Sequence, residues 1–300
     1  MMKHLTVLKE EAIQYLAIKE KGIYVDGTLG GGGHSKCILE SLNEGYLFAF
    51  DQDAFAIGYA QNVLKDYPNV TYIHNNFRYI KKELNDRGIY AIDGILLDLG
   101  LSSFQIDDPE RGFTYLKETS LDMRMDQRQA LSAETIVNTY TIEELAKIFY
   151  IYGEEKNSYK IAKRIIEQRP LKTTMELVKI CDQVNYKEKG HSAKRVFQAL
   201  RIAVNDELRV LEDVLADAVD LLKPDGRLVV ITFHSLEDRI VKHFFRDEVS
   251  EDPILKKLPI PDLHTSPFEV LTRKPIYPKE EELLNNPRSK SAKLRALRRR

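Results

Sequence analysis

The first hundred residues alternate between short apolar runs and stretches in which apolar residues recur at helical spacing. The apolar runs predict four strands, at Ile23–Asp26, Leu47–Phe50, Val70–Ile73 and Gly94–Asp98. The helical spacings predict three intervening helices, at His34–Leu42, Ala54–Leu64 and Tyr79–Leu84. Strands that alternate with helices are typical of a parallel sheet with helices on both faces. This part of the chain therefore predicts an α/β fold.

The pattern changes after residue 103, where strands stop and helical spacings continue alone. Residues suited to capping helices precede these spacings, namely Thr141 with Glu144, Thr173 with Glu176, and Ser192. A hundred residues of this kind can form a separate core. We therefore expect an inserted helical domain at residues 104–206.

The strand pattern returns after the helical stretch. The predicted turn Lys223–Gly226 precedes an apolar run that ends at His234 and Ser235, and this run predicts a fifth strand. Beyond a proline-rich loop at 253–267, the segments Phe268–Thr272 and Ala292–Leu297 could close the sheet as an antiparallel edge pair. Residues 1–103 and 207–300 are therefore expected to form one sheet domain.

A glycine cluster, Gly30–Gly33, lies between the first predicted strand and the first helix. Backbone without side chains allows a ligand to approach the amides at the start of a helix, so this arrangement predicts a nucleotide-like ligand. Asp26 ends the first strand, and Asp51 ends the second, where an acid can accept hydrogen bonds from ribose hydroxyls.

The ligand of such a turn could be NAD, ATP or S-adenosylmethionine. The glycines do not fit G-x-G-x-x-G, because Ser35 or Lys36 takes the third glycine's place, and the chain lacks a Walker lysine motif. S-adenosylmethionine carries no phosphate, but its ammonium and sulfonium groups favour a nearby acid such as Asp26. The residues thus favour S-adenosylmethionine as the cofactor.

The net charge of −1 gives no evidence for or against a nucleic-acid partner, so any basic surface must be local. The tail from Arg288 is basic and lacks acidic residues. Cys37 and Cys181 fit no metal or redox spacing, and the histidines show no paired-ligand spacing. With no apolar run of membrane-spanning length, we expect a cytoplasmic protein with no metal and no membrane partner.

Several strings resemble one family along nearly the whole chain. They are HLTVL at 4–8, DGTLGGGGHS at 26–35, DGILLDLGLSSFQIDD at 93–108, RGFTY at 111–115, LDMRM at 121–125, RVFQALRIAVNDEL at 195–208, FHSLEDRIVK at 233–242 and NPRSKSAKLRA at 286–296. The chain resembles the ribosomal RNA small subunit methyltransferase H family. The resemblance implies a Rossmann-like methyltransferase sheet with an inserted helical substrate domain. Thr6 and Phe104 stand where relatives often carry proline.

The resemblance also implies the cofactor contacts and the reaction. The implied contacts are Gly32, Gly33, His34, Asp51, Phe77, Asp98 and Gln105. The implied reaction transfers a methyl group from S-adenosylmethionine to the N4 amine of a cytidine in 16S ribosomal RNA. We expect ribosomal RNA, within the assembled small subunit, as the partner, and a monomer or homodimer.

Catalytic roles follow from the positions at strand ends. Asp98, in the place where many amino-methyltransferases carry an Asp/Asn-Pro-Pro-aromatic motif, is expected to border both cofactor and amine, and 99–103 to shape the base pocket. His234 either contacts the base or RNA, or is hydrogen-bonded into the Glu237/Asp238 turn.

The chain also offers candidate RNA contacts. Basic candidates are Arg111, Arg124, Lys194, Arg195, Arg201 and the tail, and Phe113 and Tyr115 either stack on a base or pack internally. Two other functions stay open: an assembly scaffold without turnover, and a methyltransferase for DNA amines or small molecules.

Overall fold

The computed structural model describes residues 5–187, 189–250 and 266–300. The chain divides into two compact units, unit 1 (residues 1–100 and 208–300) and unit 2 (residues 101–207). The sequence places the domain boundaries after residues 103 and 206. The proline-rich loop predicted at 253–267 lies outside the described residues up to residue 265.

Unit 1 contains a seven-stranded sheet with the order β3-β2-β1-β4-β5-β7-β6. The strands are β1 (Ile23–Asp26), β2 (Tyr46–Asp51), β3 (Val70–His74), β4 (Ile92–Asp98), β5 (Leu222–Thr232), β6 (Phe268–Val270) and β7 (Lys293–Arg299). The first five strands are parallel, while β7 pairs antiparallel with both β5 and β6. The predicted strand–helix alternation and the antiparallel edge pair are both confirmed.

Helices cover the sheet and form unit 2. They are α1 (Lys9–Leu16), α2 (Gly33–Ser41), α3 (Ala54–Val63), α4 (Ile80–Asn85), α5 (Ser103–Asp107), α6 (Ala133–Thr139), α7 (Ile142–Gly153), α8 (Ser158–Glu167), α9 (Thr174–Asn185), α10 (Lys194–Asn205), α11 (Glu207–Leu221), α12 (Ser235–Glu248) and α13 (Glu280–Asn285). In the described part of the chain, none of them is long and apolar enough to cross a membrane.

Each face of the sheet packs against its own set of helices, because neighbouring side chains on a strand point to opposite faces. Tyr24 of β1 belongs to a core cluster with residues of α1, α2 and α3. Its neighbour Val25 belongs to a second cluster with residues of α4, α11 and α12. The sheet is therefore a Rossmann-like layer covered on both sides, as the fold class predicted from the sequence requires.

The predicted turn Lys223–Gly226 is part of β5 in the structure. Leu222 pairs with Ile92 of β4, and the next pair joins Arg227 to Gly94, so four residues of β5 lie opposite one residue of β4. Pro224 lacks an N–H for the ladder, and Asp225 has a positive φ of 63°. The turn residues therefore form a bulge inside the strand, instead of preceding it.

Unit 2 contains its own core of helices and loops. Both predicted capping boxes are confirmed, because Thr141 with Glu144 and Thr173 with Glu176 exchange hydrogen bonds with each other's backbone. The prediction for Ser192 is wrong. Its hydroxyl bonds the Asp182 carboxylate, and α10 begins without a side-chain cap.

Candidate active site

The order of the strands reverses between β1 and β4, where α/β sheets bind ligands beyond the carboxyl ends of their strands. Two residues at this point are tied together. The Asp98 N–H at the end of β4 donates to Thr28 Oγ1, just after β1, at 2.7 Å. This bond fixes the relative position of the two loops that border the crevice.

The glycine turn has the backbone geometry that its sequence predicts. Gly32 has a φ of 77°, a conformation that side chains disfavour, and it directly precedes α2. Gly33 is required for a different reason. A Cβ at Gly33 would lie 1.9 Å from Thr6 Oγ1, so the N-terminal segment can approach the turn only because this side chain is absent.

Asp26 supports the turn from inside the protein. Its carboxylate accepts hydrogen bonds from Ser35 Oγ at 2.6 Å and from the Thr28 N–H at 3.0 Å. Burial raises its pKa, and these bonds lower it. With 1% of its surface exposed, Asp26 shapes the turn, and the idea that it contacts a cofactor ammonium has no support from this geometry.

Asp51 connects the end of β2 to the glycine turn. One carboxylate oxygen accepts from the Gly30 N–H and the other from the Asp53 N–H, both at 2.9 Å. Burial raises the pKa of Asp51 to about 7, against the effect of these two bonds. Each oxygen retains a lone pair, so the carboxylate can still accept from ribose hydroxyls.

His34 and Asp98 face each other at the start of α2 and the end of β4. His34 Nδ1 lies 3.6 Å from Asp98 Oδ2. Among the described residues, the buried Asp98 Oδ1 has no hydrogen-bond partner. Burial raises the pKa of Asp98 well above its usual value, and the charges of Asp26, Glu237 and Glu282 raise it further. A cationic ligand or a donor amine would satisfy this carboxylate.

Phe77 lies next to the loops of the first two strands. A Cβ at Gly27, directly after β1, would be 3.5 Å from Phe77 Cβ. The preceding Asn76 donates through its side-chain amide to Gln52 Oε1 at 2.8 Å, which links this turn to the residue after Asp51. The structure thus brings Phe77 to the same sheet edge as the glycine turn.

Gln105 belongs to unit 2, where it is buried. Its side chain accepts from the Ser102 N–H, and its own N–H donates to Ser102 Oγ, which makes a capping box at the start of α5. This geometry explains a local role of Gln105, and its cofactor contact stays a prediction.

His234 is the N-cap of α12. Its Nδ1 accepts from the Glu237 N–H at 3.4 Å, and Glu237 accepts from the backbone of His234 and of Phe233. His234 Nε2 also lies 3.1 Å from Glu237 Oε1. Of the two alternatives open from the sequence, the structure shows the hydrogen-bonded turn.

Several candidate RNA contacts form pairs inside the protein. Arg124 pairs with Asp122, and Arg201 binds Glu207 through two bonds of 2.8 Å.

The basic tail is also paired in part, because Lys293 and Arg295 both bind Asp238, Arg298 binds Glu269, and Arg299 donates to the Leu222 carbonyl. Arg111 donates to the carbonyls of Arg124 and Met125. These residues hold loops and strands together.

The aromatic residues of RGFTY pack within unit 2. Phe113 is buried, and the Tyr115 ring lies 4.3 Å from the His191 ring and edge-on to Phe197 at 5.6 Å. Their internal packing, one of the two alternatives, is therefore observed.

Sequence reasoning missed two features of the site. Thr28, which ties β1 to β4, stands in the glycine motif and could have been found as the hydroxyl nearest the strand end. Val7, whose carbonyl lies 3.0 Å from His34 Nε2, contributes through its backbone and has no side-chain signal.

The comparisons with known proteins identify the family of this chain. The family model described as the MraW methylase family matches residues 1–300. The chain belongs to the MraW methylase family. It is therefore a methyltransferase, and the family uses S-adenosylmethionine, as the sequence predicts.

Two relatives match almost the whole chain. Ribosomal RNA small subunit methyltransferase H 1 of Acholeplasma laidlawii (strain PG-8A) is 56% identical over 294 residues, which cover 98% of each chain. Ribosomal RNA small subunit methyltransferase H of Onion yellows phytoplasma (strain OY-M) is 51% identical over 292 residues, covering 97% of this chain and 96% of the relative. The resemblance stated from the sequence strings is confirmed.

Proposed function

We propose that this chain transfers a methyl group from S-adenosylmethionine to the N4 amine of a cytidine in 16S ribosomal RNA. Two relatives, 56% and 51% identical over 98% and 96% of their lengths, are named ribosomal RNA small subunit methyltransferase H 1 and ribosomal RNA small subunit methyltransferase H. The observation that carries the proposal is the buried Asp98 Oδ1, which has no hydrogen-bond partner among the described residues and lies beside the glycine turn, at the point where the strand order reverses.

The residues at this edge fit the cofactor. Asp51 offers two carboxylate oxygens for ribose hydroxyls, Gly32 allows the positive φ of the turn, Gly33 leaves room for Thr6, and Phe77 provides an apolar surface for a base. The convergence of Asp98 with the charges of Asp26, Glu237 and Glu282 favours a cation. Bound S-adenosylmethionine supplies an electrophilic methyl group on a sulfonium centre.

Asp98 is the proposed catalytic residue. A cytosine amine is a poor nucleophile because its lone pair is delocalised into the ring, so the protein must align it and accept its hydrogen bonds. Asp98 Oδ1 is a free acceptor among the described residues, and the Thr28 hydroxyl fixes the backbone that carries it. We propose that residues 99–103 complete the base pocket and that Gln105 contributes to cofactor binding.

The deciding experiment is methyl transfer to small ribosomal subunits that lack the modification, followed by mass analysis of nucleosides. We expect N4-methylated cytidine, with assembled subunits preferred over naked RNA. Asp98→Asn should bind cofactor but turn over at least about a hundredfold more slowly. Cofactor binding without methyl transfer to any substrate would favour the assembly scaffold. Methyl transfer to DNA or small molecules instead of RNA would favour the alternative methyltransferase.

We propose that unit 2 recognises the RNA through α7 and α8. Tyr150 and Tyr159 are 66% and 57% exposed, and the lysines between and beside them are exposed as well. Among the described residues, Lys156, Lys160 and Lys163 have no ion-pair partner. Exposed aromatic rings beside unpaired cations suit single-stranded RNA, since bases stack and phosphates pair with lysine.

Charge reversal tests this surface. Lys156→Glu, Lys160→Glu and Lys163→Glu together should weaken RNA binding more than tenfold and reduce the salt dependence, because each lysine that pairs with a phosphate releases counterions. Reversing Lys65, Lys242 and Lys274, three exposed lysines of unit 1 that have no ion-pair partner in the described part of the chain, is the matched control. Unchanged RNA affinity and salt slope in the α8 variant would remove RNA recognition from this surface.

The remaining proposals concern His234, location and assembly. The cap of α12 accounts for His234 Nδ1, whereas the buried Nε2 has no hydrogen-bond partner among the described residues. His234→Asn, which preserves a cap, separates the capping role from a contact to the base. Full activity of the His234→Asn variant would show that His234 acts only as the helix cap. We further propose that the protein acts in the cytoplasm, where its ribosomal substrate assembles, as a monomer or homodimer, which sedimentation at assay concentration distinguishes.

A further inference from the structure

The N-terminal residues Leu5–Leu8, here called the N-terminal segment, lie directly over the glycine turn. Thr6 occupies the space that a side chain at Gly33 would need. The Val7 carbonyl accepts from His34 Nε2 at 3.0 Å, so Nε2 carries a proton, and Nδ1 lies 3.6 Å from Asp98 Oδ2. The position of this segment therefore determines how His34 is presented.

The C-terminal helix α13 holds this segment in place. Glu282 Oε1 accepts from the Leu8 N–H at 3.0 Å, and the Asn286 side-chain amide donates to the Leu5 carbonyl at 3.1 Å. These two bonds lie at the two ends of the segment. Leu8 has a φ of 48°, an uncommon conformation for leucine, which outside contacts must stabilise.

We propose that Glu282 and Asn286 are positioning residues for the cofactor site. By fixing both ends of the N-terminal segment, they hold the Val7 carbonyl against His34 Nε2 and keep His34 Nδ1 directed at Asp98. Neither residue belongs to the glycine motif or to the strand ends. The inference rests on the proposed function for its activity measurement alone, because cofactor binding and the His34 tautomer can be measured without RNA.

Glu282 also acts through its charge. The groups that raise the pKa of Asp98 by repulsion are Asp26 from the glycine turn, Glu237 from α12 and Glu282 from α13, while His34 of α2 faces Asp98 directly. Removing the charge of Glu282 lowers the pKa of Asp98, so the ionised carboxylate persists to lower pH. A purely structural role for α13 predicts no such change.

Two substitutions at position 282 separate these effects. Glu282→Gln retains an oxygen that can accept from the Leu8 N–H but removes the charge, so the affinity for S-adenosylmethionine near pH 8 should stay within about twofold of wild type. The pKa of the Asp98 carboxyl in this variant, followed by carbon-13 NMR, should fall, while the pH step of cofactor binding that follows Asp51 should stay in place. Glu282→Ala removes both the hydrogen-bond acceptor and the charge. Its affinity for S-adenosylmethionine should fall about tenfold, which corresponds to one lost hydrogen bond of about 1.4 kcal/mol.

Matched controls lie on the same helix. Glu281→Ala and Asn285→Ala remove an exposed acid and an exposed amide next to the proposed residues, and both should bind cofactor as wild type does. Asn286→Ala should weaken binding severalfold. Binding is measured by titration calorimetry well below the unfolding temperature, so loss of fold does not account for the result.

The protonation of the His34 ring nitrogens reports directly on the position of the N-terminal segment. Long-range nitrogen–proton NMR of the labelled wild-type protein should show the proton on Nε2 at neutral pH, and Glu282→Ala with Asn286→Ala should give a mixture of tautomers. A wild-type His34 without a proton on Nε2, or an unchanged Nε2 proton signal and affinity in the double variant, would overturn the inference. Absent methyl transfer with these results intact would instead refute the proposed function.

Discussion

Thr28→Val tests whether one hydroxyl holds together the two sides of the crevice. Valine has nearly the same shape as threonine but cannot accept the hydrogen bond of the Asp98 N–H, which measures 2.7 Å to Thr28 Oγ1. The Asp98 N–H then lies at the end of a buried strand without its partner. The loop after β1 and the end of β4 keep the hydrogen bond from the Gly27 N–H to the Leu96 carbonyl but lose the bond that holds Asp98 itself.

The expected magnitude follows from the lost bond. Leaving a buried N–H without an acceptor costs about 1–3 kcal/mol of folding free energy. For a domain of 150–250 residues, the size class of unit 1, each kcal/mol lowers the melting temperature by about 2–4 °C. Thr28→Val should therefore melt about 2–12 °C below wild type. Its cofactor affinity should also fall, because Asp98 is less well held.

Thr28→Ser is the matched control, since serine keeps the hydroxyl and loses only a methyl group worth less than about 1 kcal/mol. Scanning calorimetry of the three proteins gives the melting temperatures, and titration with S-adenosylmethionine gives the affinities. If the valine variant is as stable as the serine variant and binds equally well, the bond between Thr28 and Asp98 does not organise the site.

Three further predictions follow. Affinity for S-adenosylmethionine should rise about tenfold from pH 6 to pH 8, because a carboxyl with a pKa of about 7 ionises over this range, and Asp51→Asn should lose that step while Asp53→Asn keeps it. Arg201→Ala should cost about 2–3 kcal/mol of unfolding free energy in urea and leave the salt slope of RNA binding unchanged, because Arg201 is bound to Glu207. His234→Ala should lose about 1 kcal/mol with its helix cap, whereas a tenfold or greater loss of kcat at unchanged stability would contradict the capping role.

The sheet could be predicted because its information is local. Buried parallel strands require continuous apolar runs, and residues 92–98 show one, so existence and order of the strands follow from periodicity. Capping boxes are equally local, since Thr141 and Glu144 stand three residues apart. Ser192 shows the limit of this reasoning, because an acceptor ten residues away, Asp182, competes for the same hydroxyl.

Charge roles could not be predicted in this way. The sequence marks Arg124, Arg201 and Arg295 as basic, but only the fold decides whether an acid lies within reach of each. The same holds for Asp26, which is near the glycine turn in sequence and internal in the structure. The composition gives the number of charged residues. Whether a charged side chain is ion-paired or available to a ligand depends on distances between segments that are remote in sequence.

The sequence by itself determined the α/β sheet, the glycine turn and the acids at the strand ends, because these depend on residue type and spacing within about ten positions. The tertiary structure decided which acids stay unsatisfied, which cations are already paired, and how the two ends of the chain meet. Residues 5–8 and Glu282 are 274 positions or more apart, and no periodicity connects them. Their contact arises only when the sheet places both chain ends beside the same turn.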